Sequence, residues 1–402
     1  MFASIYTALA GMKAYSQGLD VISNNVANLN TPGFKVSDPV FREIVYRHIQ
    51  ANEGDGGGQR PQGAGVEAGS AGINFTQGEL RDTGNDLDVA IDGTGFFVLQ
   101  REDGTYRYTR AGQFTFSAEG ILVERTTGEK VLFSTPESSV GTFDINSYRT
   151  HEPKATANVN IGGVLARTGT NASYELSSAT VYDKAGTAVS LRVRFTRNGS
   201  DPLKWTAEVM STANTVIGSG TVTFNADGTP AENSFTVNVT ATGGEPFPVT
   251  FNLGATGTYS GVTSPPTSTT SSLQVQRQDG LTIGSLTVTA FDEQGQFKLT
   301  YSNGQSKTPG KLVLAQFDNP GQLQALGGGL FAAKDGTTPR MGSALVQGVG
   351  RIMGRRVEMA NVDLTRQFTD LIILQRGYQA SSQVSSITNE LIQTLLAMES
   401  GR

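Results

Sequence analysis

NVDLTRQFTDLIILQRGYQASSQVSSITNELIQTLLAME, residues 361–399, is the stretch whose reading decides the fold. Its apolar residues Leu364, Phe368, Leu371, Leu374, Tyr378, Val384, Ile387, Leu391, Leu395 and Met398 recur in steps of three and four, broken only at 380–383. That period predicts one long helix with a single apolar stripe. Asn361 or Asp363 is placed to cap its start, because a side-chain oxygen there accepts an orphan backbone N–H. At the other end of the chain, residues 2–29 repeat the pattern with Ile5, Leu9, Met12, Tyr15, Leu19, Ile22, Val26 and Leu29. This helix is expected to stop near Asn30, since Thr31-Pro32-Gly33 removes a donor and supplies a turn. At 1.5 Å per residue the two helices run about 40 and 58 Å.

Between them the chain reads as short strands and turns. Leu87, Val89 and Ile91 alternate with Asp86, Asp88 and Asp92, the pattern of a half-buried strand over 86–92. Phe96-Phe97-Val98-Leu99 then leads through Asp103-Gly104 into 105–110, a hairpin signal. The fold class is therefore mainly β with long terminal α-helices, carrying an inserted β-barrel or sandwich on a helical core. The expected divisions are helical segments at 1–41 and 352–402, a flexible Gly-rich connector at 42–72, an inner β domain at 73–133 and 312–351, and an inserted outer β domain at 134–311. The KLVLAQF run at 311–317 is the candidate strand that returns to complete the inner domain.

Composition narrows the function classes. The chain has 402 residues, a formal net charge of −5 and no cysteine. There is no basic field for nucleic acid, no apolar run long enough to insert in a membrane, and no thiolate chemistry. A cleaved secretory signal is not expected, because the N-terminus lacks a basic segment followed by an apolar one. His48 and His151 lie far apart and suggest neither a catalytic triad nor a zinc site. Asp86, Asp88 and Asp92 lack EF-hand spacing. GTGFF at 93–97 lacks the continuation of a dinucleotide loop, so Gly93, Gly95, Phe96 and Phe97 read as β core. No cofactor, metal or catalytic residue is expected, and the chain reads as a non-enzyme. Arg351, Arg355 and Arg356 form a short basic cluster, an intersubunit contact or a solvated patch. Asn24, Asn25 and Asn28 either bond a neighbouring subunit's backbone or cap the first helix.

Four stretches carry a family resemblance: LDVISNNVANLNTPGFK at 19–35, GNDLDVAIDGTGFFVL at 84–99, YTRAGQFTFSAEGILV at 108–123 and EMANVDLTRQFTDLIILQRGYQASSQ at 358–383. They resemble the shared motifs of the bacterial flagellar rod and hook family. ATVYDKAGTAVSLRVRF at 179–195, KWTAEV at 204–209 and VTFNADGTP at 222–230 are similar to the outer domain of its hook members. The resemblance implies a self-assembling homopolymer whose terminal helices form the inner wall of a tube, a flexible universal joint that passes torque from rod to filament. It implies self-assembly through Ile5, Leu9, Met12, Leu19, Ile22, Val26, Asn24, Asn25, Asn28, Leu364, Phe368, Leu371, Tyr378, Ile387, Leu391 and Leu395. It also implies contacts with rod, hook-cap and hook–filament junction proteins, delivery by a type III export apparatus, and a place in the extracellular flagellum. Two alternatives stand beside this: a straight distal-rod subunit of the same family, and a surface-displayed carbohydrate-binding or hydrolytic β module.

Overall fold

The computed structural model describes residues 2–50, 59–135, 140–241, 244–292, 295–334, 336–343 and 350–400. Two helices bracket the chain, α1 at Phe2–Ala27 and α2 at Leu364–Ser400. Asp363 is the residue that caps α2: its Oδ1 accepts the Thr365 N–H at 2.9 Å and the Arg366 N–H at 3.3 Å. Asn361, the other candidate cap, is used elsewhere. Beyond α1 the chain turns at Gly33, whose φ is +73° and where an added Cβ would lie 2.4 Å from the Ala111 nitrogen. Only glycine fits that position.

The helices run antiparallel, and their contact face is not the large apolar stripe. An added Cβ on Gly11 would sit 2.8 Å from Ser381 Oγ, one on Gly377 2.7 Å from the Tyr15 ring, and one on Gly18 3.0 Å from Leu374. The buried positions of α1 are Ala8, Gly11, Ala14, Gly18, Ile22 and Asn25, spaced by three and four. Those of α2 are Gln367, Leu374 and Thr388. Small side chains let the backbones approach, and each helix then has its bulky residues left over on other faces.

The connector expected to be flexible at 42–72 is largely a hairpin. Phe41–Gln50 pairs antiparallel with Gln59–Ala68, from Phe41 opposite Ala68 to Gln50 opposite Gln59, with a register shift around Val45. Residues 51–58, within the expected loop, lie outside the described residues. The hairpin rests on α1: an added Cβ on Gly65 would stand 3.1 Å from the Ala10 Cβ, and the Phe41 ring lies 6.0 Å from that of Tyr15. Gly65, part of the stretch that read as linker, is what permits the close approach of strand to helix.

The chain divides into two compact units, the first comprising 1–146, 289–299 and 307–402, the second 147–288 and 300–306. The insertion is thus shorter than the expected 134–311. In the first unit a sheet runs in the order Gln324–Gly327, Leu330–Ala332, Tyr106–Thr109, Phe96–Gln100, Lys311–Gln316, Lys130–Ser134, Leu122–Glu124, Phe114–Phe116. Lys311–Gln316 is the returning strand, with Leu314 opposite Phe97 and Leu312 opposite Phe133. Edge-on aromatic packing fills the space beneath, Phe96 lying 5.8 Å from Phe317 and Phe97 5.2 Å from Phe114.

The half-buried strand expected over 86–92 is corrected. It is shorter, Val89–Asp92, and Val89, Ala90 and Ile91 are buried on both faces. The aspartates instead meet arginines: Asp86 with Arg355 at 2.7 Å, Asp88 with Arg125 at 2.8 Å and Asp92 with Arg351 at 3.3 Å. Two members of the basic cluster thus pair with aspartates of the same chain at its surface, Arg351 and Arg355 both staying solvated.

The second unit is a sandwich. One sheet is the meander Ser173–Tyr182, Ala188–Arg197, Lys204–Ser211, Val216–Thr223; the other combines Ser234–Thr240, Pro246–Asn252, Asn158–Val164, Val262–Thr263 and Ser272–Gln278. Val159, Ile161, Val193, Phe195, Trp205, Val209, Val237 and Phe251 from both sheets share one core.

A leucine at Gly377 must displace the Tyr15 ring. Gly377→Leu is expected to cost about 1–3 kcal/mol of helix pairing, seen as loss of 222 nm ellipticity at a lower temperature. An unchanged melt would contradict the contact face described.

Candidate assembly interface

With the small residues turned inward, α2 shows solvent an unusual run of bulk. Leu364, Phe368, Ile372, Ile373, Tyr378, Val384, Ile387, Leu391, Leu395, Leu396 and Met398 are all exposed, Phe368 at 51% and Leu391 at 52%. On α1, Tyr6 and Leu9 are exposed at 71% and 48%. A band of this extent is far more than the scattered apolar residues that ordinary surfaces carry. Each such side chain gains about 1.5–3 kcal/mol when fully buried.

The expected assembly residues divide by position. Leu9, Leu364, Phe368, Tyr378, Ile387, Leu391 and Leu395 are exposed, while Ile5, Met12, Leu19, Val26 and Leu371 are half-buried. Ile22, 1% exposed, and Asn25, 0% exposed, are already consumed within the chain. Sequence reading passed over Tyr6, Ile372, Ile373 and Leu396, which lie beside the counted stripe and widen it.

Asn25 corrects the expectation of an intersubunit hydrogen bond. Its Nδ2 donates to Ser37 O at 2.8 Å and to Gln367 Oε1 at 2.9 Å, and its Oδ1 accepts the Ser37 N–H at 3.0 Å. One side chain thus ties α1, the following turn and α2. Asn28 takes the capping alternative, donating to Asn24 O at 2.9 Å and to Asn24 Oδ1 at 3.1 Å.

Below the helix pair lies a buried ionic joint. Lys35 Nζ meets Glu358 Oε1 at 2.6 Å, and Arg110 Nη1 meets Glu358 Oε2 at 3.4 Å, with all three side chains at most 2% exposed. Glu358 Oε1 also accepts the Gly78 N–H at 2.9 Å, and its backbone oxygen accepts the Gly33 N–H at 2.7 Å. The second cation's charge is spread further: Lys35 donates to Thr76 O at 2.7 Å, while Arg110 donates to Gly93 O at 2.9 Å and lies 4.8 Å over the Phe96 ring. Asn361 closes the edge, donating to Asn74 O at 2.9 Å and to Thr76 O at 3.0 Å while accepting the Val36 N–H at 2.8 Å.

Burial pushes the Lys35 ammonium below its ordinary range, against the opposing pull of Glu358; burial likewise lowers Arg110. The joint holds two cations and one carboxylate away from water, a costly arrangement unless every partner is in place. Sequence reading quoted Lys35, Arg110 and Glu358 inside three separate motifs and gave none of them a role. Nothing local marks them, since the residues they meet are remote in the chain.

Among the described residues no group of three or more His, Cys, Asp or Glu side chains could hold a metal ion. His151 instead packs its ring 5.2 Å from Tyr301. No described helix is long and apolar enough to cross a membrane.

A β-rich chain whose ends fold back into one antiparallel helix pair, locked to a β unit by a buried ionic joint and apolar on its outer side, belongs to the class of axial structural subunits. Profiles for that class match the same elements: Flagella basal body rod protein over 5–35, Flagellar hook protein FlgE/F/G D1 domain over 90–162, and Flagellar basal body rod FlgEFG protein C-terminal over 353–398. Flagellar hook protein FlgE of Treponema pallidum is 30% identical over 99% of this chain and 100% of its own. The corresponding proteins of Borreliella burgdorferi and Escherichia coli are each 28% identical, over 99% and 97% of this chain and 100% and 98% of their own. The chain belongs to the flagellar hook protein family.

Glu358→Gln leaves two buried cations without their shared carboxylate and is expected to cost about 3–5 kcal/mol, measured as a lower urea midpoint. Lys35 also fixes a pH trend. Because its folded pKa lies below the unfolded 10.5, the folded chain binds fewer protons through that interval. The penalty for the buried charge is then greatest at neutral pH and fades as pH climbs toward 10.5. Wild type should gain stability relative to Lys35→Met across that rise, and a falling trend would contradict the assignment.

Proposed function

We infer that this chain is the repeating subunit of the flagellar hook, a tubular universal joint that carries torque from rod to filament while it bends. The observation that carries this reading is the exposed apolar band on a helix pair whose inward face is already satisfied. Sister copies supply the burial that the chain's own fold withholds. Many weak side-chain burials, repeated at every subunit, would make order of the ends depend on polymer formation.

The assembly core on this reading is the α1–α2 pair, with Leu9, Leu364, Phe368, Tyr378, Ile387, Leu391 and Leu395 as its contact residues. Ile5, Met12, Leu19, Val26 and Leu371 would join as their half-buried edges close. The hairpin at 41–68 and the β units follow the core, and their more polar surfaces would allow neighbours to shift as the tube flexes. The rod at the base, a cap at the growing tip and junction proteins beyond are the heterologous contacts this reading requires. Delivery through the type III export apparatus to an extracellular tip belongs to the same reading, and the lack of cysteine suits a chain that travels unfolded. The role is structural and non-enzymatic. Similarity to hook proteins over nearly the entire chain favours the hook over the distal rod.

The test is direct. Phe368→Asp combined with Leu391→Asp should abolish polymerisation, because both side chains are exposed in the single chain and each buried carboxylate would be unpaired. The β units should retain their cooperative unfolding. Normal tubes from this variant, seen by electron microscopy, would overturn the reading.

A further inference from the structure

The two sheets of the second unit differ in the charge their outer surfaces carry. On the meander the outward residues include a charged group, Arg192 meeting Glu175 at 3.1 Å with Arg194 and Glu208 alongside, among serines and threonines. On the other sheet the outward residues are mostly neutral, Asn158, Asn160, Ser234, Thr236, Asn238, Thr250, Asn252, Gln274 and Gln276, with Arg277, opposite Asn160, bringing a charge to one edge. A solvated β face ordinarily mixes both signs. This one is paved with amides and hydroxyls.

The amides are organised. Asn252 Nδ2 donates to Asn160 Oδ1 at 3.1 Å and to Asn158 Oδ1 at 3.3 Å, and the Thr236 and Thr250 hydroxyls meet at 3.0 Å. A groove of about 660 Å³ opens over them, lined by Asn160, Asn233, Asn252 and Gln276 and bounded by the loop that bears Tyr259. Tyr259 is 67% exposed, yet it is held. Its hydroxyl donates to Asp227 O at 3.3 Å, Gly257 N–H donates to Pro230 O at 3.0 Å, and Val262 N–H donates to Leu253 O at 2.7 Å. Gly254 and Gly261 close the loop so tightly that a Cβ on Gly254 would lie 1.8 Å from Ser260 O. An aromatic face is thereby fixed at the rim of a neutral, amide-lined trough. Charge stands beside it: Arg277, opposite Asn160, and Asp279 line an adjoining groove that shares Asn160 and Asn252.

We propose that this groove is a binding site for an uncharged pyranose oligosaccharide, distinct from the assembly helices. Planar amides both donate and accept, as adjacent sugar hydroxyls require, and so they pair with diols. A tyrosine tethered by its hydroxyl at the groove lining can stack on the apolar C–H face of a ring at reduced entropic cost. Anionic or cationic ligands find no counter-charge in the groove itself. The breadth of the surface suits several residues of a chain rather than one monosaccharide.

Isothermal titration of the full-length monomer with cellohexaose and, separately, with the hexamer of β-1,4-linked N-acetylglucosamine tests the site. Saturable binding to at least one is expected, weakened about tenfold, or about 1.4 kcal/mol, by Tyr259→Ala and by Asn252→Ala. Circular dichroism and urea midpoints verify that the variants fold. Three results would overturn the proposal: no saturable heat with either sugar up to about 10 mM, binding unaffected by both substitutions, or assembly that fails in Tyr259→Ala while the monomer ignores sugar. The last would assign the face to a second copy of this chain.

Discussion

Two helices that meet through Gly11, Gly18, Gly377 and Ser381 can approach closely only by leaving their large side chains elsewhere. This geometric trade governs the molecule. Had Leu371, Leu391 and their neighbours filled the seam, the pair would be self-sufficient and its outer side polar. Because the seam is narrow, with glycine, alanine and serine set against Tyr15 and Leu374, the apolar band is left in water.

The helix pair is not loosely tethered to the β unit that precedes it. Asn25 and Asn361 supply neutral hydrogen bonds to the turn after α1, and Glu358 supplies the charged one. Replacing such a joint by apolar residues of equal volume is often tolerated, whereas deleting one charge from it is not. The arrangement specifies a geometry more than it adds stability. Gly33, in its left-handed conformation against the Ala111 backbone, completes the joint by letting the chain pass where a side chain would block it.

Periodicity carried much of the architecture. The apolar steps at 2–29 and 361–399 anticipated Phe2–Ala27 and Leu364–Ser400, and the KLVLAQF run anticipated the Lys311–Gln316 strand. These signals are local, so a linear reading reaches them. Which face of a helix meets its partner is a different matter: the eye follows Leu9 and Leu19, while the contact belongs to Ala14 and Gly18. Glycine at 63 and 65 spoke for a linker, and only the proximity of α1 turns that stretch into a strand. The same blindness hid Asn25, Asp88 and Lys35, whose partners are set by the closed fold. The band on α2 was legible as a stripe, short of Ile372, Ile373 and Leu396; the joint beside it was not.

Lys35 and Glu358 are 323 positions apart, and Asn25 and Gln367 are 342 apart. Translation proceeds from the amino end, so α1 is made long before its complement exists. The last-made segment acts as a closing clasp. Until it emerges, the early helix has no seam, the turn at Gly33 no anchor, and Arg110 no counter-ion. Truncation near the carboxyl end would therefore leave an open, unlatched molecule rather than a slightly shorter one.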